Sequence, residues 1–184
     1  GLGATIRLWD ASTLELVAEQ TSAHRWSAST GPWIWSVDFS PDGTRIVSCS
    51  DDGSIRLWNA STLALVGEKT NAHVTVVGID GVTSVEFSPD GTRIVSSSAG
   101  GDLKLWDAST LTMLFGSVGM DSHSGNVKSV GFSPDGTRIV SGSADSRIKL
   151  WDSTLVLLTE QMSDHGDDVT SVGFSPDGTR IVSG

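Results

Sequence analysis

Histidine, serine and aspartate recur at regular spacing along this chain of 184 residues. A histidine that removes the proton of a serine hydroxyl, with an aspartate orienting its ring, could perform nucleophilic catalysis. The histidines are His24, His73, His123 and His165. An enzyme rarely needs four evenly spaced active sites, so the repetition favours a structural role. We predict no catalytic residue and no enzyme activity, and Ser48-dependent turnover of esterase or protease substrates would contradict this prediction.

Tryptophan is the second chemically informative residue type. Trp26, Trp33 and Trp35 lie within ten residues of one another. Exposed aromatic rings can anchor a protein partner or stack on a sugar ring. The alternative is that these rings pack an inserted loop against itself.

An acidic segment, Asp164-His165-Gly166-Asp167-Asp168, contains side chains that could bind a metal ion. Acidic loops are usually just solvated, and the histidine belongs to the recurring set. We therefore predict no metal and no cofactor. The one cysteine, Cys49, lies in the apolar run Ile46-Val47-Ser48-Cys49, so we expect a buried, unreactive thiol and no internal disulfide.

The charge balance bears on the class of partner. Twelve Lys and Arg residues stand against 22 Asp and Glu residues, for a formal net charge of −10. Nucleic acid and anionic membranes would be repelled, so we expect neither as the main partner. There is no apolar stretch of the roughly 18 residues that a membrane helix needs and no charged-then-apolar leader, and we expect a cytoplasmic location.

An internal repeat determines the predicted fold. The string FSPDGTRIVS occurs four times, beginning at Phe39, Phe87, Phe132 and Phe174. A second string of the form (I/L)-(R/K)-L-W-(D/N) has its tryptophan at Trp9, Trp58, Trp106 and Trp151. Where both strings follow each other directly, ten residues separate the serine that ends the first from the tryptophan of the second. Internal periodicity of this length is typical of repeat architectures.

Each unit is predicted to form four short strands. In the second unit these are residues 82–87, 93–96, 103–106 and 111–115, with Pro89-Asp90-Gly91 making a tight turn between the first two. Such strands are too short to be stable alone, and radial stacking would bury both faces of each sheet.

These strings resemble the WD-repeat (Trp-Asp repeat) family over essentially the whole chain. The wording SPDGTRIVSGS is similar to highly repetitive WD-repeat arrays of large fungal proteins. The resemblance implies an all-β fold, a β-propeller of four WD-type blades with four antiparallel strands each. We expect a single domain over residues 1–184, with units at about 24–72, 73–122 and 123–164 and a shared blade from 165–184 plus 1–23.

The resemblance also implies a structural hydrogen-bond network in each blade, from Asp to His to Ser to the indole of Trp. The complete sets would be His24, Ser48, Asp52 and Trp58, and His123, Ser141, Asp145 and Trp151. Gly100 and Gly3 stand where the aspartate is expected in the other two blades. Those two blades should therefore be less tightly held, and Asp52→Ala should destabilise the protein more than Gly100→Ala does.

Residues 4–9 are predicted to be a third strand and residues 179–184 a second strand. If the two ends of the sequence were joined, Ser183 and Trp9 would again be ten residues apart, as in the other units. We expect these strands to complete one shared blade, because an open strand edge invites association. The two alternatives are a four-bladed monomer and an eight-bladed homodimer, with a slight preference for the dimer. A fragment of a longer array is the third alternative.

Two adjacent loops are longer than their counterparts and suggest where a ligand binds. From histidine to the repeat phenylalanine the spacing is 15 and 14 residues in the first two units and 9 in the others. Ile34 aligns with Val127 and should be in the core, so Trp33 and Trp35 flank a buried position. In the family these positions often face partners on the top of the propeller. The predicted partner-binding residues are Trp26, Trp33, Trp35, Thr83, Lys128, Asp168 and Thr170.

Several functions remain open at this point. The leading hypothesis is a non-catalytic scaffold that binds a protein or peptide on its top face. A carbohydrate-binding, lectin-like propeller that uses the loop tryptophans is the main alternative. A hydrolase, and an engineered or excised propeller without an evolved ligand, complete the set.

Overall fold

The computed structural model describes residues 4–24, 33–75, 78–79, 81–117, 119–162 and 166–184. These residues form β-strands and turns, with one short 3-10 turn at Gly119–Asp121. The first nine strands are β1 (Ala4–Trp9), β2 (Leu16–His24), β3 (Ile34–Phe39), β4 (Arg45–Ser50), β5 (Ile55–Asn59), β6 (Leu65–Lys69), β7 (Val74–Thr75), β8 (Gly78–Ile79) and β9 (Val82–Phe87). The remaining nine are β10 (Arg93–Ser98), β11 (Leu103–Asp107), β12 (Met113–Gly116), β13 (Val127–Phe132), β14 (Arg138–Ser143), β15 (Arg147–Asp152), β16 (Leu157–Met162), β17 (Val172–Phe174) and β18 (Ile181–Ser183).

The strands form propeller blades. Three four-stranded antiparallel sheets are complete: blade I (β3–β6), blade II (β9–β12) and blade III (β13–β16). Two two-stranded sheets flank them, the N-terminal half-blade (β1–β2) and the C-terminal half-blade (β17–β18). The all-β architecture of WD-type blades is thus confirmed. Pairing between β1 and β18 is not among the strand pairs of the described residues, so closure of the ring remains a prediction.

The SPDG turn joins the first two strands of every blade in the same way. In blade I, Gly43 has φ of 68°, which glycine adopts without steric penalty. The Asp42 carboxylate accepts hydrogen bonds from the Ser40 hydroxyl at 2.6 Å and the Thr44 backbone N–H at 3.0 Å. These bonds lower the pKa of Asp42 to about 2, led by the Ser40 hydroxyl. The aspartates of the SPDG turns therefore stabilise the hairpin formed by the first two strands of each blade.

The outermost strand of blade II begins later than the sequence predicted. In blade II the strand starts at Met113 instead of Leu111. The reason is that Leu111 adopts φ of 54°, in the left-handed region, at the end of a turn held by Asp107. The Asp107 carboxylate accepts the backbone N–H groups of Ser109 and Thr110, both at 2.9 Å.

The hydrophobic core lies between neighbouring blades. Each cluster joins the second and third strands of one blade to the tryptophan-bearing side of the next. Examples are Leu57 of blade I with Trp106 of blade II, and Leu105 of blade II with Trp151 of blade III. The N-terminal half-blade packs on blade I in the same way, through Ile6 and Trp58. Because every core cluster is shared between two neighbouring blades, each blade is stabilised by packing against the blades beside it.

The longer second loop contains its own short hairpin, in which β7 pairs with β8. Within the described ranges, none of the elements is a helix long and apolar enough to cross a membrane.

Candidate functional site

Blade III contains a continuous chain of buried hydrogen bonds. The Trp151 indole N–H donates to the Ser141 hydroxyl oxygen at 2.9 Å. The Nε2 atom of His123 lies 2.7 Å from the same hydroxyl, and its Nδ1 atom lies 2.9 Å from an Asp145 carboxylate oxygen. Asp145 also accepts the backbone N–H groups of Ser124 and Arg147. The structure thus brings together the four residues that the sequence placed in this set.

The direction of each bond follows from the charge of the histidine. Burial lowers the pKa of His123, although Asp145 acts in the opposite direction, so the imidazole is neutral at pH 7. A neutral imidazole has one donor and one acceptor nitrogen. Nδ1–H therefore donates to Asp145, and Nε2 accepts the Ser141 hydroxyl proton. The Trp151 N–H, the Ser141 O–H and the His123 Nδ1–H thus each donate one hydrogen bond to the next residue, and the chain ends at Asp145.

This order of Ser, His and Asp is that of a nucleophilic triad, but the geometry does not suit catalysis. The Ser141 and Ser48 side chains are 0% exposed, so a substrate carbonyl has no path to either hydroxyl. The Ser141 oxygen also accepts the indole N–H. The arrangement supports the structural interpretation of the network.

Blade I has the same chain with looser histidine contacts. Trp58 donates to the Ser48 hydroxyl at 2.8 Å, and His24 Nε2 lies 2.8 Å from that hydroxyl. Both Asp52 carboxylate oxygens are 3.3 Å from His24 Nδ1, while the Ser54 hydroxyl is closer, at 3.0 Å. The Nδ1 atom of His24 in blade I thus has both Asp52 and Ser54 as partners, whereas the described residues of blade III offer only Asp145 to the Nδ1 atom of His123.

Blade II lacks the aspartate. His73 Nε2 lies 2.8 Å from the Ser96 hydroxyl, and Trp106 donates to that hydroxyl at 2.8 Å. Among the residues that the structure describes, the buried Nδ1 atom of His73 has no hydrogen-bond partner. Burial lowers the pKa of His73 to about 3, and the positive charge of Lys104 adds to the effect. Because blade II has Gly100 where the other complete blades have aspartate, the Nδ1 atom of His73 is left unsatisfied in the core.

The fourth set, expected in a shared blade, includes Gly3 and His165, which lie outside the described residues, as does Asp164 of the acidic segment.

The two described tryptophans of the first insertion are both exposed. Trp33 is 63% exposed and Trp35 is 56% exposed, at the start of the inner strand β3. Ile34 between them is partly buried against the core beside blade I. The Trp35 indole N–H donates to the Asp51 carboxylate, which fixes the ring orientation. Trp26 lies outside the described residues.

The other predicted partner-binding residues lie on successive inner strands or just before them, and Thr83 and Lys128 contact the following sheet. Thr83 donates to the Val127 carbonyl. The Lys128 Nζ atom lies 3.8 Å from an Asp168 carboxylate oxygen, and both side chains are more than one-third exposed, at 35% and 41%. Thr170 donates to the Gly184 carbonyl at 3.1 Å. These residues form an arc that continues from the tryptophans along one edge of the inner strands.

Sequence reasoning missed two sets of cations that hold the blades. The first is the basic residue on the third strand of each complete blade. Lys149, only 3% exposed, donates to the Asp121 and Ser122 carbonyls at 2.7 and 3.0 Å. Arg56 makes the corresponding bond to the Ala23 carbonyl. The recurring (R/K) in the second string was the available signal.

The second set is the arginine of FSPDGTRIVS. The guanidinium of Arg93 in blade II donates to the Ser153 and Gly136 carbonyls of blade III at 2.9 and 3.2 Å. It also lies 5.7 Å from the centre of the Phe132 ring, a cation–π contact. We call this contact the arginine clamp. It joins each complete blade to the sheet that follows it.

Carboxylates on the inner strands also join neighbouring blades. Asp38 accepts the Phe87 backbone N–H at 2.8 Å, and Glu86 accepts that of Phe132 at 2.9 Å. Burial raises the pKa of Glu86 to about 7, and the negative charge of Asp38 adds to the effect. Burial also raises the pKa of Asp38.

Glu86→Gln is expected to stabilise the protein at pH 8 by about 2 kcal/mol and to have no effect near pH 4.5. The folded pKa of about 7 lies above the ordinary value of 4.5, so the folded chain binds more protons between these values. Stability therefore falls as the pH rises through this window. Glutamine keeps the acceptor for Phe132 without the charge. The figure allows about 1.4 kcal/mol per pKa unit, reduced for partial solvent access.

Urea denaturation at several pH values measures the effect. Glu15→Gln, which removes one exposed carboxylate, is the matched control for the loss of a negative charge. An unaltered pH slope in Glu86→Gln would show that another group carries the dependence.

Comparison with known proteins agrees with this architecture. A search among curated proteins found no significant match. The family model described as WD40, WD domain, G-beta repeat, matches residues 20–59, 71–107, 116–152 and 157–184. These four matches cover most of the chain, each including a tryptophan-bearing third strand or a FSPDGTRIVS hairpin. The chain therefore belongs to the WD40 repeat family.

Proposed function

We propose that the protein is a non-catalytic scaffold that binds a peptide segment of a partner protein on the surface around Trp33 and Trp35. WD40 domains in general serve as protein-interaction scaffolds. The observation that carries the proposal for this chain is the pair of exposed indoles, 63% and 56% exposed, at the start of one inner strand. Large exposed aromatic side chains on a rigid scaffold are favoured anchors of protein interfaces.

The polar surroundings of the tryptophans support a peptide ligand. Asp51 holds the Trp35 ring in place, so little side-chain entropy is lost when a ligand packs on it. Lys128 and Asp168 supply both signs of charge at the other end of the arc. A peptide with an apolar anchor and flanking polar groups complements this surface.

Peptides selected from a displayed random library on the intact chain provide the test. Trp33→Ala and Trp35→Ala are each expected to weaken binding of the selected peptides by about 30-fold or more, the usual effect of losing an aromatic anchor. Isothermal titration calorimetry measures the dissociation constants. Phe115→Ala is the matched control, because Phe115 is also an exposed aromatic residue, 43% exposed, but lies on the outermost strand of blade II.

Two results would contradict the proposal. One is selected peptides that bind both tryptophan variants as tightly as the parent chain. The other is saturable binding on a glycan array that both substitutions abolish, which would instead support the lectin-like alternative.

A further inference from the structure

Blade II differs from blades I and III at two positions around its buried histidine. The first is the aspartate position of the network. A carboxylate oxygen lies 3.3 Å from the histidine Nδ1 atom in blade I and 2.9 Å from it in blade III, supplied by Asp52 and Asp145. Blade II has Gly100 there. The side chain that glycine omits is a methylene group with a carboxylate, which has the size and charge of an acetate ion.

The second position faces the cation of the third strand. In blades I and III this cation pairs in register with a glutamate of the outermost strand, at N···O distances of 2.5 and 3.2 Å: Arg56 with Glu68, and Lys149 with Glu160. The residue in register with Lys104 of blade II is Gly116. Blade II thus keeps the cation of the third strand and has glycine at both positions where the other complete blades have a carboxylate.

The cation of the third strand lies close to the histidine. In each complete blade it donates to the carbonyl of the residue just before the histidine. In blade II the Lys104 Nζ atom lies 2.8 Å from the Ala72 oxygen. Burial lowers the pKa of His73, and the positive charge of Lys104 lowers it further. The same positive charge favours an anion beside the neutral imidazole.

The imidazole of His73 supplies a hydrogen-bond donor to such an anion. The Ser96 hydroxyl oxygen accepts the Trp106 indole N–H, and its own proton is donated to Nε2 of His73 at 2.8 Å. The Nδ1 atom of the neutral ring therefore carries the hydrogen. Among the described residues this buried N–H has no acceptor, and the side chain of His73 is 0% exposed. The acidic residue of the same turn, Asp102, instead accepts the Ser122 hydroxyl at 3.4 Å.

The turn beside this donor gives an ion from solution a route to it. Ala99 and Gly100 are both exposed, whereas the corresponding residues of blade III, Ala144 and Asp145, are partly buried. Gly100 is followed by Gly101, and two successive glycines allow the turn to move at little steric cost. A small ion can therefore reach the Nδ1 atom of His73 by a local movement of this turn.

We propose that blade II binds a small monocarboxylate, of the size of formate or acetate, beside Gly100. The carboxylate accepts the Nδ1–H of His73 and lies near the Lys104 ammonium group, so it takes the part that the Asp145 side chain plays in blade III. A ligand that binds only the folded chain stabilises it, so the stability of blade II depends on the concentration of such acids. This site is independent of the peptide surface around Trp33.

A titration with sodium acetate, followed by NMR of protein labelled with nitrogen-15 histidine, tests the site directly. The Nδ1 resonance of His73 is expected to shift in a saturable way at pH 7. The dissociation constant should be in the millimolar range, since the ligand has only about four non-hydrogen atoms. His24 and His123 are internal controls, because carboxylates already lie beside their Nδ1 atoms. No saturable shift at His73, or equal shifts at all three histidines, would overturn the proposal.

Sodium chloride holds the ionic strength constant in this titration, so the shift reports the carboxylate and not the salt. Acetamide tests the role of the charge, because it has the shape and the acceptor oxygen of acetate without the negative charge. It is expected to bind at least about tenfold more weakly, since charge-assisted hydrogen bonds are roughly twice as strong as neutral ones. Equal affinities for acetamide and acetate would overturn the assignment of a carboxylate site.

Two glycine variants locate the bound ion. Gly100→Asp supplies the carboxylate covalently and is expected to abolish the acetate-dependent shift of His73. Gly116→Glu leaves this turn unchanged, and a Cβ there would lie 3.6 Å from the Lys104 Cγ atom, an ordinary contact. The glutamate is expected to raise the dissociation constant for acetate about tenfold, because it neutralises the cation beside the site.

Leu158→Glu is the matched control for Gly116→Glu. It adds the same charge to the outermost strand of blade III, at a side chain that is 52% exposed, and should leave the affinity for acetate unchanged. If both glycine variants bound acetate as tightly as the parent chain, the ion would lie elsewhere and the proposal would be wrong.

Discussion

Asp145→Ala is expected to lower the free energy of unfolding by about 3 kcal/mol, the largest loss that we expect from a single network substitution. The Asp145 carboxylate accepts the imidazole N–H of His123, whose side chain is 0% exposed, and two backbone N–H groups. Hydrogen bonds to charged groups contribute about 1.5–3 kcal/mol, and a buried donor left without a partner adds about 1–3 kcal/mol. Thermal unfolding should show a decrease of about 6–12 °C in Tm.

The blades supply their own graded controls for this substitution. Asp52→Ala should cost less, because Ser54 is already 3.0 Å from the Nδ1 atom of His24. Gly100→Ala, at the same position of blade II, should change the stability by less than about 1 kcal/mol, because no carboxylate is lost there. Equal decreases for all three variants would contradict the assignment of the aspartates to the network.

Gly100→Asp is expected to raise the free energy of unfolding by about 2 kcal/mol. The new carboxylate would supply the acceptor that the buried Nδ1 atom of His73 lacks. The backbone can accept it, because the positive φ in this turn is at Gly101, with 95°, as it is at Gly53 in blade I. Loss of a glycine also reduces the conformational entropy of the unfolded chain. Urea denaturation at pH 7 measures the gain.

The pH dependence of this variant gives a second readout. With a folded pKa of about 3 against an ordinary value of 6.5, His73 binds its proton in the unfolded chain first. Stability is therefore lost as the pH falls below 6.5. A carboxylate beside His73 favours the charged imidazole, so Gly100→Asp should reduce this loss between pH 6.5 and pH 5. A variant that is less stable than the parent at both pH values would show that the turn of blade II does not accept the aspartate.

The fold was predictable because the same two strings occur four times along the sequence. A single FSPDGTRIVS hairpin is compatible with many β folds, but its fixed distance from the tryptophan strand specifies blades. The exposure of Trp33 and Trp35 was also predictable, since they flank a position that aligns with the core residue Val127. The arginine clamp was not predictable, because its acceptors are backbone carbonyls about one repeat away. Nor was the left-handed Leu111, since leucine rarely adopts positive φ.

The candidate site was likewise predictable from the sequence only in part. The residues of the network could be named, but the contacts of His24 with Ser54 and the orphan atom of His73 depend on side-chain positions within one turn. The arc from Thr83 to Thr170 was expected as a partner surface. Its contacts between blades, such as Lys128 with Asp168, emerge only when the inner strands are placed side by side.

The arginine clamp has a consequence for how such a chain can change length. Arg45, Arg93 and Arg138 recognise the same groups in the following blade, so the boundaries are chemically interchangeable. Recombination that duplicates or deletes one whole repeat would leave each remaining boundary between blades with both its arginine and its phenylalanine. Copy number can thus vary by unequal exchange without any new interface having to arise, and selection can act on the loops of each copy separately.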